Sequence, residues 1–324
     1  MATPAAPALA QSGPRLRQED RVRIAEARRL AASLADRVWP GWGATPFSIL
    51  LVEDSAEYLI GSREATRDFT PLSYDSLLHS EIQTRPRRYP PTLLATFPAV
   101  GSSPTIVIGS AERTGKYSTS WVLTLLHEHF HEWQYRQPDY YPGMARLGLA
   151  RGDTTGQWML DYPFPYDSAP VQETMRSLAR ALIRTLDARP KGQAALVRDV
   201  SAARDALRTR LAARDYRYFE FQLWQEGVAR YIEYAMARAA GKAEQPSPEF
   251  RSLPDFEPYD RSAKRGQESL RRELERLDLA RDRRVSFYPI GAAVALLLDE
   301  MAPGWKQAYT RQPFALLSLL PVSR

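Results

Sequence analysis

The sequence predicts an α+β fold: a small, mainly antiparallel sheet near the N-terminus, followed by a mostly helical region. Three observations predict it. Between about residues 46 and 110, short β-type runs alternate with clusters of turn residues. From 118 onward, apolar positions recur at helical spacing. The order is sheet first and helices after, which favours segregated over alternating elements. The chain has 324 residues, of which 44% are hydrophobic and 25% charged. That balance belongs to a globular protein large enough to bury a core without covalent staples.

Residues 1–16 are rich in Ala and Pro and read as a tail or a signal remnant. Ala8-Leu9-Ala10 before Gln11 has the look of a signal-peptidase site. The residues before it contain prolines, no basic residue and no apolar core. These features favour a tail and a cytoplasmic protein; a signal remnant would mean export. Residues 17–324 are expected to form one domain, with a helix-plus-sheet part over 17–116 and a helical part over 117–324. Val22, Ile24, Ala25, Leu30, Leu34 and Val38 lie among Arg and Glu and predict a helix over 19–38, ended by Pro40-Gly41-Trp42-Gly43. Strands are expected at 47–52, 57–60, 92–97 and 105–108. Helices are expected at 118–136, 170–187, 193–214, 216–240, 263–280 and 288–301, with loops over 137–169 and 241–262.

Composition narrows the function classes. No cysteine is present, so there are no disulfides, and any transition metal must be held by His, Asp or Glu. The net charge of +6 comes from basic residues interleaved with acidic ones, as in 17–23 and 271–276. Such runs make solvated helix faces with i,i+4 pairs, and no nucleic-acid recognition motif accompanies them. A nucleic-acid partner is therefore not expected. The longest apolar stretch, 290–298, falls far short of the roughly 20 residues that cross a bilayer, so no transmembrane segment is expected.

Three of the four histidines lie within five residues, in Leu125-Leu126-His127-Glu128-His129-Phe130-His131-Glu132-Trp133-Gln134. This contains His-Glu-x-x-His. On a helix, His127 and His131 fall about 40° apart, one turn from each other. Two imidazoles so placed can grip one metal ion, with Glu128 within reach of a metal-bound water as general base. Ser120, Thr124 and Gln134 share the azimuth of the two histidines. Val122, Leu125, Leu126, Phe130 and Trp133 form the opposite, packing face. His129 falls with the apolar set and reads as a packing residue.

A catalytic zinc usually takes three protein ligands and keeps one position open. No third His follows His131 closely, and His79 lies far away in a polar stretch. Glu226 is the better candidate, because it sits in an otherwise apolar segment, Phe219–Tyr234, where a buried carboxylate needs a cation. Gly227 and Ala229 beside it would let this helix approach another backbone closely. Glu233, two turns on, is the fallback ligand, and Asp161 is a weaker one. A salt bridge from Glu226 to Arg230 is the competing reading.

His127-Glu128-x-x-His131, followed by a helix with Glu226-Gly227-x-Ala229, resembles the gluzincin branch of the zincin metallopeptidases. His-Glu-x-Phe-His-x-x-Gln, ending at Gln134, is similar to several uncharacterised bacterial families of that branch. The resemblance rests on two segments. It implies a zincin-like fold, one Zn²⁺ held by His127, His131 and Glu226, and Glu128 in the catalytic role. Related enzymes often stabilise the oxyanion with Tyr or His. Tyr288, at the mouth of the helix that Pro289 opens, is the candidate here. Three departures stand out: Glu132 is charged where the usual signature is uncharged, Arg230 replaces an acidic residue, and the long gap implies a helical insertion near 140–215. The expected activity is peptide-bond hydrolysis on a peptide or protein substrate, with the strand at 105–108 offering its edge to an extended peptide. The alternative is a non-catalytic metal- or peptide-binding protein with a regulatory or scaffolding role.

Overall fold

An apolar stripe makes the first helix. α1 (Gln18–Val38) buries Val22, Ile24, Ala27, Leu30, Leu34 and Val38, which spacings of two to four residues place on one face. It stops where Trp39 turns extended and Gly41 takes a φ of +79°, a left-handed conformation that favours glycine. The computed structural model describes residues 15–62, 64 and 67–321. The tail expected over 1–16 lies outside these, apart from its last two residues.

Six strands follow: β1 (Ile49–Val52), β2 (Ala56–Ile60), β3 (Thr70–Asp75), β4 (Ser80–Pro86), β5 (Leu94–Val100) and β6 (Ser103–Gly109). Their order across the sheet is β3-β4-β2-β1-β6-β5. All neighbours are antiparallel except β1 and β6, which are parallel. The chain is thus an α+β protein with a mostly antiparallel sheet. Alternation along β1 serves two cores. Ile49 and Leu51 face the large one shared with the helices, while Leu50 and Val52 face a smaller cluster with Leu59, Phe69, Val100 and Val107.

Two expectations for the sheet need correction. The β3–β4 hairpin has no apolar alternation to announce it: β3 is largely exposed and polar. The strand at 105–108 lies inside β6 and is not an edge. Residues 94–97 of β5 pair antiparallel with 105–108 and cover it, so β5 is the edge strand on that side.

The remainder is helical. α2 (Ala111–Thr114) and α3 (Ser118–Tyr135) follow the sheet; α4 (Tyr140–Leu147) and α5 (Trp158–Asp161) lie within the expected loop. α6 (Ala169–Asp187), α7 (Pro190–Arg210) and α8 (Ala213–Gln222) come next. A single π-helical turn, Leu223–Gly227, joins α8 to α9 (Val228–Ala243), so the helix expected over 216–240 is interrupted. The chain ends with α10 (Pro248–Arg251), α11 (Tyr259–Glu275), α12 (Leu279–Asp282), a 3₁₀ turn over Arg283–Ser286, α13 (Phe287–Met301) and α14 (Trp305–Arg311). No helix among the described residues is long and apolar enough to cross a membrane.

α3 is the hub. It contacts β5 and β6 on one side and α1 and α9 on the other. All its residues except Ser120 and Tyr135 are buried, the signature of a helix enclosed between layers. Trp121 anchors its start by donating to the Gly109 carbonyl at 2.8 Å. Trp39, Phe130, Trp133 and Tyr309 pack edge-on and stacked around its end. The π turn crosses α13 at two glycines. A Cβ on Gly227 would lie 2.5 Å from the Gly291 Cα, so the two backbones touch directly, as the small residues beside Glu226 lead one to expect.

Candidate metal centre

The site forms where α3, α9 and α13 meet. His127 and His131 project from α3 one turn apart, and both are buried. Their Nε2 atoms lie 3.1 Å from each other. From the π turn, Glu226 brings Oε2 to 3.8 Å from His127 Nε2 and 3.5 Å from His131 Nε2. A π turn inserts an extra residue into the helical register and is a frequent feature of functional sites; here it carries the carboxylate. His127, His131 and Glu226 form a group able to hold a metal ion. A single ion could reach all three atoms at roughly 2 Å, the length of a zinc–nitrogen or zinc–oxygen bond.

The hydrogen bonds behind the histidines fix which ring nitrogen faces the group. His127 Nδ1 lies 2.8 Å from Glu233 Oε1, and a carboxylate there can only accept, so Nδ1 carries the proton. His131 Nδ1 lies 2.6 Å from Gln134 Oε1. The Gln134 amide cannot turn over, because its nitrogen donates to the carbonyls of Trp224 and Gln225 at 3.2 and 3.0 Å. The short contact to Gln134 Oε1 makes Nδ1 of His131 a donor as well, with the Gln225 amide 3.0 Å away turning its otherwise unpartnered oxygen toward it. Both Nε2 atoms therefore turn bare lone pairs toward one another and toward a carboxylate oxygen. Three acceptors converging on one point, with no donor among them, call for a cation.

The charges point the same way. Burial works against a charged imidazole at His127, yet the carboxylates of Glu226 and Glu233 lift its pKa to about 10. Burial also opposes charge on Glu233, but Arg230 and His127 hold it down at about 2. Glu226 likewise falls well below the carboxylate range despite burial, through the two histidines and Arg284. The carboxylates thus favour positive charge at the point where a metal ion could sit.

Around this group, Glu128 accepts a hydrogen bond from the Thr96 hydroxyl at 2.8 Å, which ties the carboxylate to edge strand β5. His129 points the other way. It stacks on Phe47 with ring centroids 4.0 Å apart and donates from Nε2 to the Thr45 carbonyl at 3.2 Å. Glu132 is fully buried, and burial pushes its pKa well above the usual range, favouring the neutral acid. A charged residue in the sequence is thus close to an uncharged one in the fold. Tyr288 lies at the site: its hydroxyl accepts from Arg284, and burial and the nearby Glu226 raise its pKa far above normal.

The fallback ligands lie elsewhere. Glu233 is behind His127 and orients it. Asp161 is exposed on α5 and accepts from Gln157 at 2.7 Å. His79 is exposed in the β3–β4 turn. The competing salt bridge from Glu226 to Arg230 does not form; Arg230 approaches Glu233 at 3.5 Å instead. Thr96, Gln225 and Arg284 were not singled out by sequence. Thr96 and Arg284 come from other segments, with no motif to flag them. Gln225 does adjoin Glu226, and its amide lies 3.0 Å from His131 Nδ1.

No protein-family model, curated protein or solved structure matches the chain.

Proposed function

We propose that the chain is a zinc-dependent hydrolase of peptide bonds, of the gluzincin type that His127-Glu128-x-x-His131 and Glu226 resemble. The observation that carries this reading is the convergence of two imidazole nitrogens and one carboxylate oxygen on a single point, with a second carboxylate, Glu128, next to His127 on the same helix. A structural zinc site is closed by four protein ligands; three ligands with a free carboxylate beside them suit catalysis. Zn²⁺, when bound, supplies a Lewis acid for the scissile carbonyl and acidifies water.

The roles of the protein groups follow. His127, His131 and Glu226 hold the ion. Glu233 and Gln134 keep both imidazoles in the Nδ1–H tautomer, which leaves Nε2 free to ligate. Glu128 takes a proton from water and returns it to the leaving amine, with Thr96 holding its carboxylate in place. Tyr288 remains the candidate for stabilising the oxyanion. An extended peptide would pair with β5, the edge strand, over its regular stretch 94–97; beyond this the pairing with β6 is irregular and Pro98 lacks an N–H.

The test is metal content and turnover together. About one zinc per chain is expected in protein purified without added metal, and Glu226→Ala should lose it. Glu128→Gln should keep the metal and lose hydrolysis of a peptide library, by roughly 10²-fold or more for a general base. Bound zinc with no hydrolysis by the unmutated chain would favour the non-catalytic metal-binding alternative. Full turnover in Glu128→Gln would refute the mechanism.

A further inference from the structure

The 3₁₀ turn that leads into α13 begins with an unusual backbone. Arg283 adopts φ +49° and ψ −131°, a conformation that non-glycine residues rarely occupy and that persists only where the surroundings enforce it. Its own side chain is held from outside, with the guanidinium 4.6 Å above the Tyr166 ring and an Nη1 atom 3.7 Å from Asp167. The consequence lies in the next residues. The chain turns so that Arg284 and Tyr288, one helical turn apart, reach the same carboxylate from one side.

Glu226 has two oxygens with different surroundings. Oε2 faces His127 and His131. Oε1 lies 3.7 Å from Arg284 Nη1. The same Nη1 donates to the Tyr288 hydroxyl. Accepting that bond leaves the hydroxyl its own proton to donate, and the Glu226 carboxylate, which the same Nη1 approaches, is the acidic group nearby. Both groups are partly buried, with Arg284 26% and Glu226 17% exposed, so their interaction is only partly screened by solvent.

We propose that Arg284 and Tyr288 form a clamp on Glu226 Oε1, leaving Oε2 as the single oxygen available to the metal. The proposal rests on the metal-site reading above. Arg284 supplies charge and directs the Tyr288 hydroxyl, and the hydroxyl donates to Oε1. An unclamped glutamate could swing both oxygens onto the ion and occupy the position needed by water or substrate. The clamp thus keeps the site open as well as tight. It gives Tyr288 a task distinct from donating to an oxyanion, since its one proton points at the ligand. Arg284 and Tyr288 are positioning residues in this scheme.

The experiment measures Zn²⁺ affinity by chelator competition in the full chain, and the visible spectrum after Co²⁺ loading. The variants are Tyr288→Phe, Arg284→Met, Arg284→Lys and the double variant Tyr288→Phe/Arg284→Met. Loss of an outer-shell partner typically weakens metal binding about 10- to 100-fold. That loss is expected in Tyr288→Phe and Arg284→Met, together with a shift in the Co²⁺ bands as the carboxylate changes its mode of binding. The double variant should lose little more than either single one, because the two residues act as one unit. Arg284→Lys should recover part of the loss, which a mere packing defect would not allow. Unchanged zinc affinity and an unchanged Co²⁺ spectrum in Tyr288→Phe would overturn the clamp, and a fall in kcat alone would return Tyr288 to the oxyanion. Absence of zinc binding in the unmutated chain would overturn the metal site and the clamp with it.

Discussion

The contact between Gly227 and Gly291 couples packing directly to the metal site, and Gly291→Ala tests it. A Cβ at position 291 would lie 2.6 Å from the Gly227 Cα, 2.7 Å from the Leu223 carbonyl oxygen and 3.1 Å from the Leu223 Cα. These are backbone atoms and cannot rotate aside. Restoring an ordinary carbon contact near 3.5 Å requires α13 and the π turn to part by about 1 Å. Overpacking of this kind costs about 1–3 kcal/mol. Against it stands helix propensity, where alanine in place of an interior glycine gains up to about 1 kcal/mol. With two backbone atoms struck at once, the steric cost belongs at the upper end, and the net expectation is a loss of about 2 kcal/mol. Glu226 is bonded to Gly227, so the same displacement should move Oε2 and weaken zinc binding. The assay is urea unfolding of the metal-free chain, paired with zinc competition. Equal or higher stability in Gly291→Ala, where propensity alone would lead, would refute the reasoning.

Two further perturbations complete the set. Glu233→Gln keeps an acceptor for His127 Nδ1–H but removes its charge; zinc affinity should fall roughly 10-fold or more, and unchanged affinity in the competition assay would show that the carboxylate does not support the ligand. His129 is buried, and burial lowers its pKa to about 4 from a reference of 6.5. A depressed folded-state pKa contributes stability above pH 6.5 and loses it as the pH falls through 4, because the unfolded chain binds the proton first. Between these values the group adds a slope of up to roughly 1.4 kcal/mol per pH unit, and unfolding of His129→Leu should show a flatter acid limb over that window. Identical limbs would mean that His129 takes up its proton in the folded state.

The sequence made the architecture legible wherever one physical signal dominated. α1, α3, α6, α9 and α13 announce themselves by apolar spacing, and β1, β2, β5 and β6 by short apolar runs between turn residues. The hairpin β3–β4 was illegible because β3 is largely exposed and β4 buries mainly polar residues, Thr84 and Arg85, beside the single apolar Ile82. The interruption at 223–227 was illegible too, since a π turn retains helical composition and differs only by one hydrogen bond, from the Val228 N–H to the Leu223 carbonyl. At the site, His127, His131 and Gln134 could be grouped by helical periodicity alone, because all three ride on α3. Glu226 was identifiable by chemistry, as a carboxylate among apolar neighbours. Its division of labour with Glu233 was not, because which of the two faces the histidines depends on the π turn and the crossing at Gly291.

The lesson of the site lies in how local and distant information combine. His127 and His131 would stand one turn apart on any helix that formed, so the sequence between them suffices to place them. Two histidines do not define a metal site, however, and the third candidate ligand and several of its neighbours come from distant segments. Glu226 and Glu233 arrive 99 and 106 residues after His127 and Arg284 and Tyr288 later still, while Thr96 comes from the sheet. The π turn that carries Glu226 meets α13 at Gly227 and Gly291, and Arg284 follows Arg283, whose φ is +49°. Neither feature contributes an atom to the chemistry. Glycines pressed together lose side-chain contacts, and a strained arginine costs about 1–3 kcal/mol. Glycine at 227 and 291 is what lets the π turn approach α13 to backbone contact, and that approach sets where Glu226 Oε2 lies relative to the two histidine Nε2 atoms.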